Sequence, residues 1–149
     1  MEQKIKVLEE RIMTADVMLD FQYASSINQV WKALTVSDLL EQWIWANDFK
    51  PVVGHTFQFK SEPNEYWDGI VNGEVLEVDE PKKLSYTWAS AGETTTVVWT
   101  LTENTDGKTD LHFEMSGFSE ETKATPGAIE GAVHSWTEFG NNLKTVLEK

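Results

Sequence analysis

The stretch TKATPGAIEGAVHSWTEFGNNLKTVL, residues 122–147, decides the fold. Ala132, Trp136, Phe139, Leu143 and Val146 or Leu147 form an apolar stripe at helical spacing. Pro126 stands near the start, where the first turn of a helix tolerates proline. The pattern predicts one helix from about Thr122 to Leu147, and at about 1.5 Å per residue it spans about 39 Å. A chain of 149 residues folds to a radius of gyration of roughly 15 Å, hence a diameter near 40 Å. Such a helix crosses the whole molecule, and its single apolar face requires a sheet to lie on.

The preceding residues supply that sheet. Val17, Leu19, Phe21 and Tyr23 alternate over a strand length. Ser26-Ile27-Asn28-Gln29 reads as a capping box opening a short helix with Val30, Trp31 and Leu34. A cap at Ser37 or Asp38 starts a second short helix through Leu39, Leu40 and Trp43. Beyond Pro51 and Gly54, Phe57 and Phe59 alternate with Gln58 and Lys60. The run from Tyr66 to Val78 contains Asn72-Gly73, a hairpin dipeptide. One long strand with a glycine bend is nevertheless favoured, because a bent strand curls a sheet. Its parity stays open, since Val71/Val75 and Ile70/Leu76/Val78 both read as inward sets. Leu84, Tyr86 and Trp88, then Val97, Trp99 and Leu101, then Leu111, Phe113 and Met115 complete the series. Turns fall at Ser90-Ala91-Gly92 and Asn104-Thr105-Asp106-Gly107. The order predicts an α+β fold: a curved antiparallel sheet of about six or seven strands around a long C-terminal helix, with two short helices after the first strand. Residues 2–13 place Ile5, Leu8 and Ile12 among charges and read equally as helix or strand.

Composition narrows the function. The chain carries 25 acidic and 12 basic residues, a formal net charge of −13. Arg11 is its one arginine, which disfavours nucleic acid and anionic membrane surfaces as partners. It has no cysteine, so thiol chemistry and Cys-type zinc sites are excluded, and a reducing cytoplasm suits it. Met1-Glu2-Gln3-Lys4 opens no apolar signal region, and no stretch approaches the length of an apolar membrane span. The expectation is a soluble cytoplasmic protein with one domain over residues 1–149: an extension at 1–16 and a core at 17–147.

Several segments jointly resemble the START-like (SRPBCC, helix-grip) superfamily. They are Val30-Trp31-Lys32-Ala33-Leu34-Thr35, Leu39-Leu40-Glu41-Gln42-Trp43, Gly73-Glu74-Val75-Leu76-Glu77-Val78 with Pro81-Lys82-Lys83-Leu84, and Tyr86-Thr87-Trp88. Together with Ser135-Trp136 and Asn142-Leu143-Lys144, they look most like bacterial relatives of the activator of heat-shock-protein ATPase. Two positions depart from that subfamily. Its adjacent tryptophans after the second helix read Trp43-Ile44-Trp45 here, and Gly140 replaces a helical leucine. A glycine there costs about 1 kcal/mol relative to alanine; it marks either close packing on a neighbour, which we favour, or volume left for a ligand.

The resemblance implies a cavity between sheet and helix that holds an apolar ligand. The candidate ligand-binding residues are Trp43, Phe57, Phe59, Trp67, Tyr86, Trp88, Trp99, Phe113, Trp136 and Phe139. For any one of them a filled aromatic core is the favoured explanation, and the case for a cavity is collective. Trp88, Trp99 and Trp136 should be neighbours on the cavity wall. His55, His112 and His134 lack metal-ligand spacing, and Glu74 beside Gly73 reads as outward-facing. No residue is assigned a catalytic role, and no metal or cofactor is expected. The reading is a small-hydrophobic-molecule binder. Its alternatives are an enzyme of polyketide cyclase or hydrolase type using the same cavity, and an interaction module for a heat-shock ATPase in the stress response. A chain of this length leaves no room for the separate N-terminal domain that such activators carry, which weighs against the last. Oligomeric state is left open.

Overall fold

The structure is a computed structural model and describes residues 15–148. The N-terminal segment whose helix and strand readings stayed open lies outside that range. Strand β1 (Val17–Tyr23) leads into helices α1 (Ile27–Thr35) and α2 (Ser37–Trp43). Six strands follow: β2 (Ala46–Asn47), β3 (Thr56–Lys60), β4 (Ile70–Asp79), β5 (Lys83–Ser90), β6 (Glu93–Glu103) and β7 (Thr109–Ser116). A short helix α3 (Glu120–Ala124) precedes the long α4 (Ala128–Leu147). All strands pair antiparallel in one sheet of order β1-β7-β6-β5-β4-β3-β2. The sheet is curved, and Trp136, Gly140 and Leu143 form the buried stripe of α4.

The helix starts follow from local hydrogen bonding. Ser26 Oγ accepts the Gln29 N–H at 3.3 Å, and Gln29 Oε1 accepts the Ser26 N–H at 3.1 Å. The anticipated box is therefore complete, and it satisfies two otherwise orphaned donors. The second helix corrects the expectation of a cap at Ser37 or Asp38. Val36 occupies the N-cap without a side-chain bond, because the Ser37 hydroxyl donates to the Asn47 carbonyl at 2.9 Å.

The run Tyr66–Val78 is one strand through Asn72-Gly73, but it begins only at Ile70. Polar side chains hold the preceding backbone in turns. Asn64 Oδ1 accepts the Tyr66 N–H at 2.8 Å, and Asp68 Oδ1 accepts the Ile70 N–H at 3.0 Å. Val71, Gly73 and Val75 face the core and Leu76, one step on, is exposed; a register shift between Val75 and Glu77 then breaks the alternation, leaving Glu77 exposed and Val78 half-buried. That bulge is why both inward sets looked plausible.

The continuous helix expected from Thr122 is broken. A residue before proline is driven out of the helical region, and Thr125 is extended, with ψ 120°. Gly127 follows in the left-handed region at φ 83°. Helix α4 has 20 residues and is about 30 Å long. The break lets α3 turn aside, at the end of the sheet where β5 meets β6.

Candidate functional site: an aromatic cavity beside the long helix

Register sorts the inward aromatic residues into layers. Leu84 opposes Trp99, and Trp99 opposes Phe113. Tyr86 opposes Val97, and Val97 opposes Met115. Trp88 opposes Thr95, next to the Ala91-Gly92 turn. The Trp88–Thr95 layer is therefore the last aromatic one at that end of the sheet, with only the Ser90–Glu93 pair of the same parity beyond it. Helix α4 covers it with Ala132, Trp136 and Phe139, a run of i, i+4 and i+7 positions.

A cavity of about 380 Å³ lies there. Aromatic rings form most of its wall: Trp45 from the segment after α2, Trp67 from the turn before β4, Trp88 from β5, Phe118 before α3, and Trp136 and Phe139 from α4. Val71, Met115, Gly131 and Ala132 add apolar surface, and Ser90, Ala91, Glu93, Thr95 and Ser135 complete the lining. Trp45 joins the parts, with ring centroids 5.6 Å from Trp67, 6.2 Å from Trp88 and 5.4 Å from Phe139. Trp136 lies 4.7 Å from Trp88 and 5.2 Å from Phe139.

Two polar groups stand out. The Trp67 Nε1–H is buried and has no hydrogen-bond partner among the described residues, a costly condition for a donor. Glu93 is the sole charged side chain among the described lining residues. Its Oε2 accepts the Thr122 hydroxyl at 2.6 Å and its Oε1 accepts the Ser119 N–H at 2.7 Å. These bonds, the Thr122 hydroxyl first, hold its carboxyl below the usual range, so it is ionised at neutral pH. They also tie α3 to the start of β6.

Of the residues singled out from sequence, Trp67, Trp88, Trp136 and Phe139 line the cavity. Trp43, Phe57, Phe59, Tyr86, Trp99 and Phe113 are buried in the packed core and do not, which corrects their expected place on the wall. Trp43 donates its Nε1–H to the Ala33 carbonyl at 2.8 Å, and Trp99 donates to the Tyr86 hydroxyl at 2.9 Å. Burial pushes that Tyr86 hydroxyl well above the ordinary tyrosine range. The expected adjacency of Trp88 and Trp99 fails on register, since Trp88 pairs with Thr95, four positions before Trp99 on β6; both instead meet Trp136. Gly140 is a packing glycine. A Cβ there would run into the Phe21 ring, and its carbonyl accepts the Tyr23 hydroxyl at 2.8 Å.

Trp45, Glu93 and Phe118 were missed. Trp45 and Phe118 lie outside the regular alternation, where the displaced second indole of Trp43-Ile44-Trp45 was the one signal, whereas Glu93 continues the inward parity of Thr95, Val97 and Trp99. Glu74 is exposed, as expected. His134 is exposed beside Glu138, and His55 bonds the Asp48 carbonyl at 2.9 Å. His112 lies on the outer sheet face, 2.7 Å from Asp20 and 3.3 Å from Glu114. Burial opposes its protonation, but the bonds and charges of those carboxylates outweigh it and raise His112 above the ordinary range. No group of three or more His, Asp or Glu suited to a metal occurs among the described residues, and no helix there is long and apolar enough to cross a membrane.

Known proteins share this architecture. Protein MLL2253 from Mesorhizobium loti is 36% identical, with 89% of this chain and 96% of that chain aligned at a TM-score of 0.78. DynU16, from the dynemicin biosynthetic locus, is 21% identical over 89% of this chain and 47% of its own, with a TM-score of 0.75. PFC0360w, an HSP90 activator from Plasmodium falciparum, is 18% identical over 89% and 95%, with a TM-score of 0.73. The last two likenesses show the fold alone. No curated protein matches the chain. The model of the family described as activator of Hsp90 ATPase homolog 1-like protein matches residues 24–148. With its curved antiparallel sheet gripping one long helix, the chain belongs to that family and to the START-like fold.

Proposed function

We propose that this protein binds a small hydrophobic molecule in the cavity between the β5–β6 end of the sheet and the N-terminal half of α4. The observation that carries the reading is a cavity of about 380 Å³ walled by Trp45, Trp67, Trp88, Trp136 and Phe139. That volume lies in the range of about 300–1,000 Å³ common for small-molecule sites, which are mostly apolar with a few polar groups. The unpartnered Trp67 Nε1–H supports an occupant with an acceptor oxygen. Binding rather than catalysis is favoured because the one charged lining group, Glu93, already accepts bonds from Ser119 and Thr122. Among the described lining residues no histidine accompanies it as a proton-transfer partner. A second reading, contact with a heat-shock ATPase, is supported by the family's description and by the fold shared with PFC0360w.

Titration with tert-butylbenzene, followed by tryptophan emission, tests the first reading. Indole emission responds to local polarity, so a saturable change is expected. Ala132→Phe, which places a ring in the lining of α4, should abolish it. An unchanged emission would overturn the proposal, as would a change that persists in Ala132→Phe.

A further inference from the structure

The charge and ring geometry of the cavity select among apolar ligands. Resting on the binding function proposed above, we infer that the preferred occupant is an apolar cation, a quaternary or tertiary ammonium, and not a neutral hydrocarbon or a carboxylate. Three independent observations meet here. First, the wall carries four indoles, from Trp45, Trp67, Trp88 and Trp136. The indole face is the best aromatic partner for a cation, and a ring-lined cage suits an ammonium whose charge is spread over methyl groups. Trp45 is central to the cage, within 6.2 Å of both Trp67 and Trp88 and at 87° to Phe139.

Second, the described lining residues include no lysine, arginine or histidine, while Glu93 contributes a carboxylate. Thr122 and Ser119 fix that carboxylate in place, so its charge stays at the cavity. An anionic ligand would meet a negative group with no counter-charge.

Third, the rim repeats the sign. The exposed Glu62, Glu65 and Asp68 lie in the turn that carries Trp67, and that turn runs beside Ala91 and Gly92. Glu130 sits in the first turn of α4 next to the lining residue Gly131 and opposes the positive end of the helix dipole. The nearby Lys123 ammonium pairs with Glu120 at 3.0 Å. The whole chain adds a net charge of −13, which favours encounter with cations.

A near-isosteric series isolates the charge: trimethylphenylammonium, tert-butylbenzene and benzenesulfonate, each titrated by calorimetry and tryptophan emission. The cation should bind at least about tenfold tighter than the neutral compound, as expected for a desolvated cation over indole faces. The sulfonate should give no saturable signal. Glu93→Gln keeps one acceptor oxygen for the Ser119 N–H, turns an amide donor toward the Thr122 hydroxyl oxygen and removes the charge, and should narrow the cation-to-neutral ratio severalfold. Trp45→Leu keeps the wall apolar but removes an indole face, and should narrow it too. Because the ratio is the readout, a general loss of stability does not imitate either result. Equal binding of cation and neutral compound, or tighter binding of the sulfonate, overturns this inference and leaves the binding function standing. Silence from all three compounds overturns the binding function itself.

Discussion

Trp99→Ala should lower stability by about 3–5 kcal/mol, the usual cost of truncating a packed tryptophan. In a domain of this size that corresponds to a fall of roughly 6–20 °C in melting temperature. Trp99 is 1% exposed and lies against Phe113 at 4.7 Å and against Trp43 and Trp136 at 5.9 Å each. Its loss also strips the buried Tyr86 hydroxyl of its Nε1–H donor. Trp88→Ala should cost clearly less and fall below that range. Trp88 contacts Phe59, Trp45 and Trp136, but one side of it already faces the cavity, so fewer contacts vanish. Urea denaturation of the two variants side by side measures the difference. Equal losses would mean that Trp88 is packed as tightly as Trp99 and that the cavity is not open.

Gly73→Ala should be among the most damaging small substitutions. A Cβ at residue 73 would collide with the Phe57 ring and with the Thr87 backbone carbonyl oxygen. The ring can give way, but the carbonyl belongs to the neighbouring strand and cannot move without disturbing the sheet. Overpacking of this kind costs about 1–3 kcal/mol and occasionally more, and the value here should reach the top of that range. Gly140→Ala meets only the half-buried Phe21 ring, which can swing aside, and should cost less. Denaturant midpoints for the pair check the order. If Gly140→Ala proves the more damaging, rigidity of the colliding neighbour is not what sets the cost.

The fold was legible because its two periods are long and clean. Leu84/Tyr86/Trp88, Val97/Trp99/Leu101 and Leu111/Phe113/Met115 alternate without interruption, and Trp136, Gly140 and Leu143 keep one helical face. Errors fell where a local interaction overrides the period. The Thr125-Pro126-Gly127 break shortened the last helix, the bulge after Val75 hid the parity of β4, and the Asn47 carbonyl took the Ser37 hydroxyl from its anticipated cap. The cavity was less legible for a different reason. Alternation tells which residues face inward, but not which layer the helix leaves uncovered. Trp88 and Trp99 have the same parity, and register alone separates the cavity wall from the filled core. Trp45 and Phe118 reach the cavity from the segments after α2 and after β7, where sequence periodicity carries no information, while Glu93 shares the inward parity of Thr95 and Val97 but is polar and so did not read as lining.

The seven tryptophans give seven indole N–H resonances, and these offer the most direct test of the account. In a ¹⁵N-labelled sample titrated with trimethylphenylammonium or tert-butylbenzene, the signals of Trp45, Trp67, Trp88 and Trp136 should move saturably and together. Trp31 and Trp43 donate to Glu80 and to the Ala33 carbonyl away from the cavity, and their signals should stay in place. Trp99, bonded to Tyr86, should shift only slightly, through the ring of Trp136. If the four cavity indoles remain still with both compounds, or if Trp31 and Trp43 move as far as they do, the cavity is not the binding site.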